Sequence, residues 1–228
     1  NHWYRDYLDF AQNKGMFAPG ATDLVLVGKD GSRLELPDVP FPDFSVVSNH
    51  GPVTSVGGAY MVTATHNKKP WGWHEQSVRP RWGISQYNLQ ENYSSGDFSI
   101  VRLDKFVVET PGLKHAVNWK LSDQQLFDRY SVMYQGKRQV LMYRAGSGRL
   151  EFRQNGKTTP FNDVSYREAL LSGSIFTLYG WRNGPDNGQV LFKNFLSFDN
   201  ELTEGDSGSG GLMWDNELGE WVIAGTLI

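Results

Sequence analysis

Apolar residues at positions 3, 4, 7, 8, 10 and 11 fall near one stripe of a helical repeat, and they predict a helix over residues 3–14. Gly15 stands where such a helix would end. From residue 23 the pattern changes to short apolar runs cut by turn residues. Residues 23–27 predict a strand, Lys29, Asp30, Gly31 and Ser32 a hairpin turn, and residues 33–36 its return. The prolines between 37 and 42 make that stretch a connection. Strands are predicted at 43–48, 53–56 and 59–65, with Gly57 and Gly58 turning between the last two. The Trp-, Pro- and Gln-rich residues 68–92 read as a loop followed by a strand at 82–89. Another alternating strand begins at Asp97, after a Ser/Gly turn.

The second half repeats this character. A short helical turn is predicted at 123–128, then strands at 130–134, 139–143 and 148–154, joined by Gly136 and Gly146. The apolar run 174–181 leads into the strongest turn of the chain at 183–188, and 189–198 continues as one bent strand or two. Residues 211–214 run out, 215–219 turn, and 220–228 return. The expectation is an all-β protein with a short N-terminal helix, in two parts: residues 1–121 and residues 122–228. Two β halves suit a double barrel.

Composition narrows the function. Aromatics at 14%, with 25 glycines among 228 residues, fit a turn-rich β structure. The formal net charge of −3 leaves no basic stripe, so nucleic acid is not an expected partner. There is no cysteine, which excludes disulfides, thiolate catalysis and thiolate metal sites. No run of about 18 apolar residues predicts a transmembrane helix, and no signal peptide is visible. A start at Asn1 and His2 is expected to reflect a processed or trimmed N-terminus.

Candidate chemistry lies in the stretch Glu204, Gly205, Asp206, Ser207, Gly208, Ser209. A serine hydroxyl needs a neighbouring base to act as a nucleophile. Glycines on both sides fit a tight loop that presents Ser207 and aims the N–H groups of Gly205 and Ser207 at one point, an oxyanion hole. The competing reading is a plain Gly/Ser surface turn. His66 directly follows an apolar strand and can serve as the base. Asp97 enters a strand after a turn and can orient an imidazole. Each alone also reads as an ordinary strand-end histidine or a solvated turn aspartate. The order His, Asp, Ser is that of the chymotrypsin-like proteases. His74 and Glu75 do not make a helical metal pair with His66, and no third ligand is obvious, so neither metal nor cofactor is expected.

The chain also resembles the protease domain of the immunoglobulin A1 protease family of autotransporters, which includes the serine protease autotransporters of enteric bacteria. The matching stretches include Tyr4-Arg5-Asp6, Phe10 to Gly15, Phe17 to Ala21, Asp43 to Ser48 and Tyr60 to Asn67. They continue with Asp97-Phe98, Arg102 to Val107, Tyr143 to Gly148 and Gly205 to Ser209. The resemblance implies a chymotrypsin-like double β-barrel with His66, Asp97 and Ser207 as its catalytic triad. It implies a secreted serine endopeptidase, exported through periplasm and outer membrane and acting on extracellular or host proteins. A β-helical stalk and a C-terminal membrane barrel would lie outside this sequence. Gly210 and Gly211 depart from the family pattern and are expected to loosen the strand after the nucleophile, and the interval from His66 to Asp97 reads as a trimmed loop. Glu201 stands where the family's fold often places the pocket floor and would favour a basic substrate side chain; an exposed carboxylate is the alternative. Asp206 is expected to be satisfied locally and not by the amine of Asn1. The residues after Ile228 would line one pocket wall, so the strand ending there is expected to be an edge left partly unpaired or paired by another chain. The competing functions are an adhesin or binding module on the same fold, and a free-standing secreted protease of glutamyl-endopeptidase type.

Overall fold

The computed structural model describes residues 2–48, 53–68, 87–116, 121–148, 151–160, 170–183, 188–193, 198 and 206–226. The chain is mostly β. Helix α1 (Tyr4–Gln12) ends because Asn13 takes a left-handed conformation (φ 53°) and returns its N–H to Asp9 and Phe10 carbonyls. The stop comes before Gly15, since asparagine, though less readily than glycine, also adopts this conformation at helix ends. The Asn13 side chain then ties three segments together. Its Nδ2 donates to the carbonyls of Phe17 (3.0 Å) and Pro42 (2.8 Å), and its Oδ1 accepts from Phe44 N (2.8 Å).

Strands β1 (Val25–Val27) and β2 (Arg33–Glu35) form the expected hairpin. Residues 43–48, by contrast, are not a strand. Asp43 accepts a hydrogen bond from Ser45 N at 2.9 Å and caps a single 3-10 turn, Phe44–Val46, after which Val47 bridges to Thr54 and Ser48 N donates to the Val53 carbonyl at 3.0 Å. A short acidic side chain can thus override the apolar alternation that follows it.

The first sheet has the order β3-β4-β6-β5 and is antiparallel throughout. Its strands are β3 (Thr54–Gly57), β4 (Tyr60–Ala64), β5 (Leu89–Ser95) and β6 (Phe98–Leu103). β5 runs through Ser95, so the turn before Asp97 is shorter than the sequence pattern indicates. Val53, Met61, Tyr87, Val101, Leu103 and Val107 form a compact core beneath this sheet.

The second sheet follows β13-β12-β9-β14-β15-β7, with β8 also paired to β9. It uses β7 (Lys114–His115), β8 (Ser131–Tyr134), β9 (Lys137–Gly146), β12 (Ser172–Asn183), β13 (Gly188–Lys193), β14 (Gly210–Asp215) and β15 (Glu220–Thr226). β10 (Glu151–Gln154) and β11 (Lys157–Pro160) make a separate hairpin. Among the described residues both sheets remain open, without a closing pair. On its outer side strand β15 is paired over two residues only among the described residues, so most of that edge stays open as expected. The strand lies between β14 and the two-residue strand β7, which pairs in parallel at Val222↔Lys114 and Ile223↔His115. Helix α2 (Asp123–Tyr130) begins with a capping box formed by Ser122 and Gln125, which accounts for its length beyond a single turn. Arg129 at its end grips the buried Asp215 through Nε at 3.0 Å and so anchors the β14–β15 hairpin.

The N-terminal segment packs on the second sheet, not the first. Phe10, Phe41 and Phe44 share one core with Leu141, Tyr143, Phe198 and Leu212. Tyr7 stacks on Phe198 with centroids 4.3 Å apart. A Cβ at Gly173 would lie 2.4 Å from Phe10 Cδ1, so the bare glycine is what lets the helix seat on β12. Phe10 is wholly buried. Phe10→Ala is expected to lower unfolding free energy by about 3–5 kcal/mol, read from the urea midpoint, because transfer and cavity costs add at a site boxed in by aromatic rings.

Candidate active site

The end of β4 and the β5–β6 turn meet because Ala64 pairs with Phe98. Gly96, with φ 59°, makes the turn that precedes β6. Thr65 N donates to the Asp97 carbonyl at 2.7 Å, and Thr65 Oγ1 meets Ser99 Oγ at 2.7 Å. The chain then winds into a short 3-10 helix, Thr65–Lys68, which carries His66. His66 Nδ1 lies 2.6 Å from Asp97 Oδ2, and His66 N donates to Asp97 Oδ1 at 2.8 Å. Both carboxylate oxygens therefore serve a single residue. A carboxylate only accepts, so in the neutral ring the proton sits on Nδ1 and the lone pair on Nε2. The two side chains are 45% and 28% exposed, so this pair adds little to stability. What it provides is a fixed ring orientation and tautomer.

Ser207 belongs to the other sheet. Asp206 to Ser209 make a tight turn, closed by Ser209 N donating to the Asp206 carbonyl at 3.1 Å. Gly208 has φ 86°, the left-handed value that a type II turn requires at this position. Ser209 Oγ donates to the same carbonyl at 2.6 Å. Ser207 is half-buried on this turn. Asp206 is buried and points away from solvent, where it accepts from Arg144 Nη1 (3.1 Å) and Gly148 N (3.0 Å). The local satisfaction of Asp206 expected from the sequence is thus present, while Asn1 lies outside the described residues.

The turn feeds β14, and the two glycines that open this strand do not loosen it. A Cβ on Gly210 would come 2.6 Å from Thr54 Oγ1, and one on Gly211 would come 2.1 Å from Met142 Sδ. Gly210 pairs with Thr226, and Gly211 pairs with both Gly225 and Arg144. The absence of side chains brings β14 against β3 of the first sheet. Thr54 pairs with Val62 on β4, the strand that leads to His66. The sequence expectation of a slack strand is corrected: the glycines permit closer packing.

Of the three candidate residues, the structure joins His66 to Asp97. Among the described residues no hydrogen bond links His66 to Ser207. Gly205 and Glu201 lie outside the described residues, so the second oxyanion donor and the pocket floor have no described geometry. Among the described residues no group of three or more His, Cys, Asp and Glu side chains could hold a metal. No helix there is long and apolar enough to cross a membrane. The residue that sequence reasoning passed over is Arg144. Its signal was available: one cation in the apolar run Val140 to Ala145 is a charge that a buried strand must pair.

Comparison with known proteins adds the lineage. A family model described as immunoglobulin A1 protease matches residues 1–228, and the chain belongs to that family. It is 47% identical over 230 residues to the serine protease EspP of Escherichia coli, covering 100% of this chain and 17% of that protein. Its fold is similar to the passenger domain of plasmid encoded toxin, an autotransporter enterotoxin from enteroaggregative Escherichia coli. The TM-score there is 0.82 at 38% identity, over 98% of this chain and 23% of that one. The Haemophilus influenzae Hap adhesin is similar at TM-score 0.71 and 25% identity, over 98% of this chain and 25% of that one. The chain thus spans about a sixth of the curated relative's length.

Proposed function

We propose that this chain is the serine endopeptidase part of an exported autotransporter passenger, with His66, Asp97 and Ser207 as its triad. The observation that carries the reading is the double clamp of Asp97 on His66, through Nδ1 at 2.6 Å and backbone N at 2.8 Å. It leaves Nε2 as the free base of the ring. Ser207 Oγ attacks the scissile carbonyl as His66 Nε2 takes its proton. The tetrahedral oxyanion is held by the N–H groups of Gly205 and Ser207. Collapse breaks the C–N bond, and His66 returns the proton to the leaving amine. Water then repeats the sequence on the acyl-enzyme and releases the acid. Contact between His66 and Ser207 tightens when substrate is bound, as is common for catalytic hydrogen bonds. In this reading the two sheets act as the halves of a chymotrypsin-like double barrel with the cleft between them; the division at residues 1–121 and 122–228 expected from the sequence does not follow the sheets, because α1 packs on the second sheet and β7 (Lys114–His115) belongs to it. The substrates are extracellular proteins.

A second reading, an adhesin or binding module, draws only on the name of the similar Hap adhesin. Incubating the chain with a peptide library separates the two. The protease reading expects defined cleavage products that are absent when Ser207 is replaced. A library left intact favours the adhesin.

A further inference from the structure

We infer that Arg144 is a positioning residue that assembles the Ser207 turn, an inference that rests on the protease reading above. Arg144 lies on β9, 2% exposed, and its Nη1 donates to Asp206 Oδ1 at 3.1 Å and to Ser209 Oγ at 3.3 Å. Those two residues flank Ser207 and Gly208, and they close the turn through Ser209 N and Oγ on the Asp206 carbonyl. One buried cation therefore fixes both ends of the turn that presents the nucleophile.

The surroundings are shaped to this contact. The guanidinium sits over the Phe176 ring at 5.9 Å. Gly146 and Gly148 flank it, and a Cβ on either would collide: 2.3 Å from Arg144 Nη1 for Gly146, 2.4 Å from Asp206 Oδ2 for Gly148. The Gly148 backbone N–H adds a further bond to Asp206 Oδ1 at 3.0 Å. The backbone of Arg144 pairs with Gly211, so β9 holds β14 in register at the same point. A positive charge that pairs with Asp206 thus comes from the middle of a strand, 62 positions away in sequence.

The test compares the wild-type chain with Arg144→Gln, Arg144→Lys and the charge-neutral pair Arg144→Gln/Asp206→Asn. Each is treated with a fluorophosphonate, and kinact and KI are fitted separately. Arg144→Gln should reduce kinact about 100-fold, the scale of an ångström-level misplacement of a reacting group, with KI little changed. Arg144→Lys should recover part of kinact because it keeps the charge. The neutral pair, which strands no buried charge, keeps the question open to measurement if Arg144→Gln does not fold. It should still show reduced kinact, because the amide pair holds the turn less firmly than the ion pair. Hydrogen exchange at Ser209 N supplies a readout independent of reactivity. It should accelerate in Arg144→Gln, or in the neutral pair where that is the variant that folds, while the β4 amides stay unchanged. Wild-type kinact in a folded Arg144→Gln or in the neutral pair, or unchanged Ser209 exchange, overturns the inference. A wild-type chain that fails to react with the fluorophosphonate at all overturns the protease reading instead, and Ser209 exchange then decides the positioning claim alone.

Discussion

Ser207→Ala is expected to reduce peptide hydrolysis by about 10⁴-fold or more and to leave the fold intact. The loss is large because the nucleophile has no substitute: without Oγ there is no acyl-enzyme, and only binding and oxyanion stabilisation remain. The fold should survive because the two described bonds that close the turn come from Ser209, through its N–H and its Oγ to the Asp206 carbonyl. Ser207 is half-buried, and shortening it by one oxygen opens no sizeable cavity. The urea midpoint should move by no more than about 0.5 kcal/mol equivalent. A variant that hydrolyses peptide at the parental rate would remove Ser207 from the mechanism.

Asp97→Asn should be nearly as damaging, lowering kcat about 10⁴-fold, and the geometry supplies the reason. Asp97 Oδ1 faces the His66 backbone N–H at 2.8 Å, which can only donate. An asparagine must therefore turn its amide oxygen to that N–H, which points its NH2 at Nδ1, 2.6 Å away in the parent. Nδ1 is then forced to accept, the ring proton moves to Nε2, and the base is no longer available to Ser207. Stability should change little, because the pair is partly solvent-exposed. The His66 tautomer can be read from its ring nitrogen shifts. An Asp97→Asn protein with parental kcat and the proton still on Nδ1 would contradict this assignment of roles.

How far the sequence could be read depends on the range of each interaction. His66, Asp97 and Ser207 stand out in the sequence as candidates because their surroundings are local: an apolar strand before the histidine, a turn at the aspartate, glycines around the serine; of these the structure brings His66 and Asp97 together. Helix α1 and the β1–β2 hairpin were legible for the same reason. Residues 43–48 were misread because a single short bond, Asp43 to Ser45 N, outweighed their alternation. The place of α1 could not be seen at all. It depends on contacts such as Gln12 Nε2 to the Leu170 carbonyl at 2.7 Å, across 158 positions of sequence. Strand β7 has two residues, too few for any periodicity, and exists only because β15 offers it an edge. Arg144 carries no motif that names its role; its partner Asp206 is 62 positions away. The glycines at 210 and 211 read as slackness in one dimension and prove to be close approach in three.

The most direct measurement is stoichiometric labelling with a fluorophosphonate, followed by intact mass and peptide mapping. The account predicts one adduct per chain, located on Ser207, formed far more slowly in Asp97→Asn and absent from Ser207→Ala. A folded chain that takes up no label, or carries it on another residue, would contradict the assignment of Ser207 as the nucleophile.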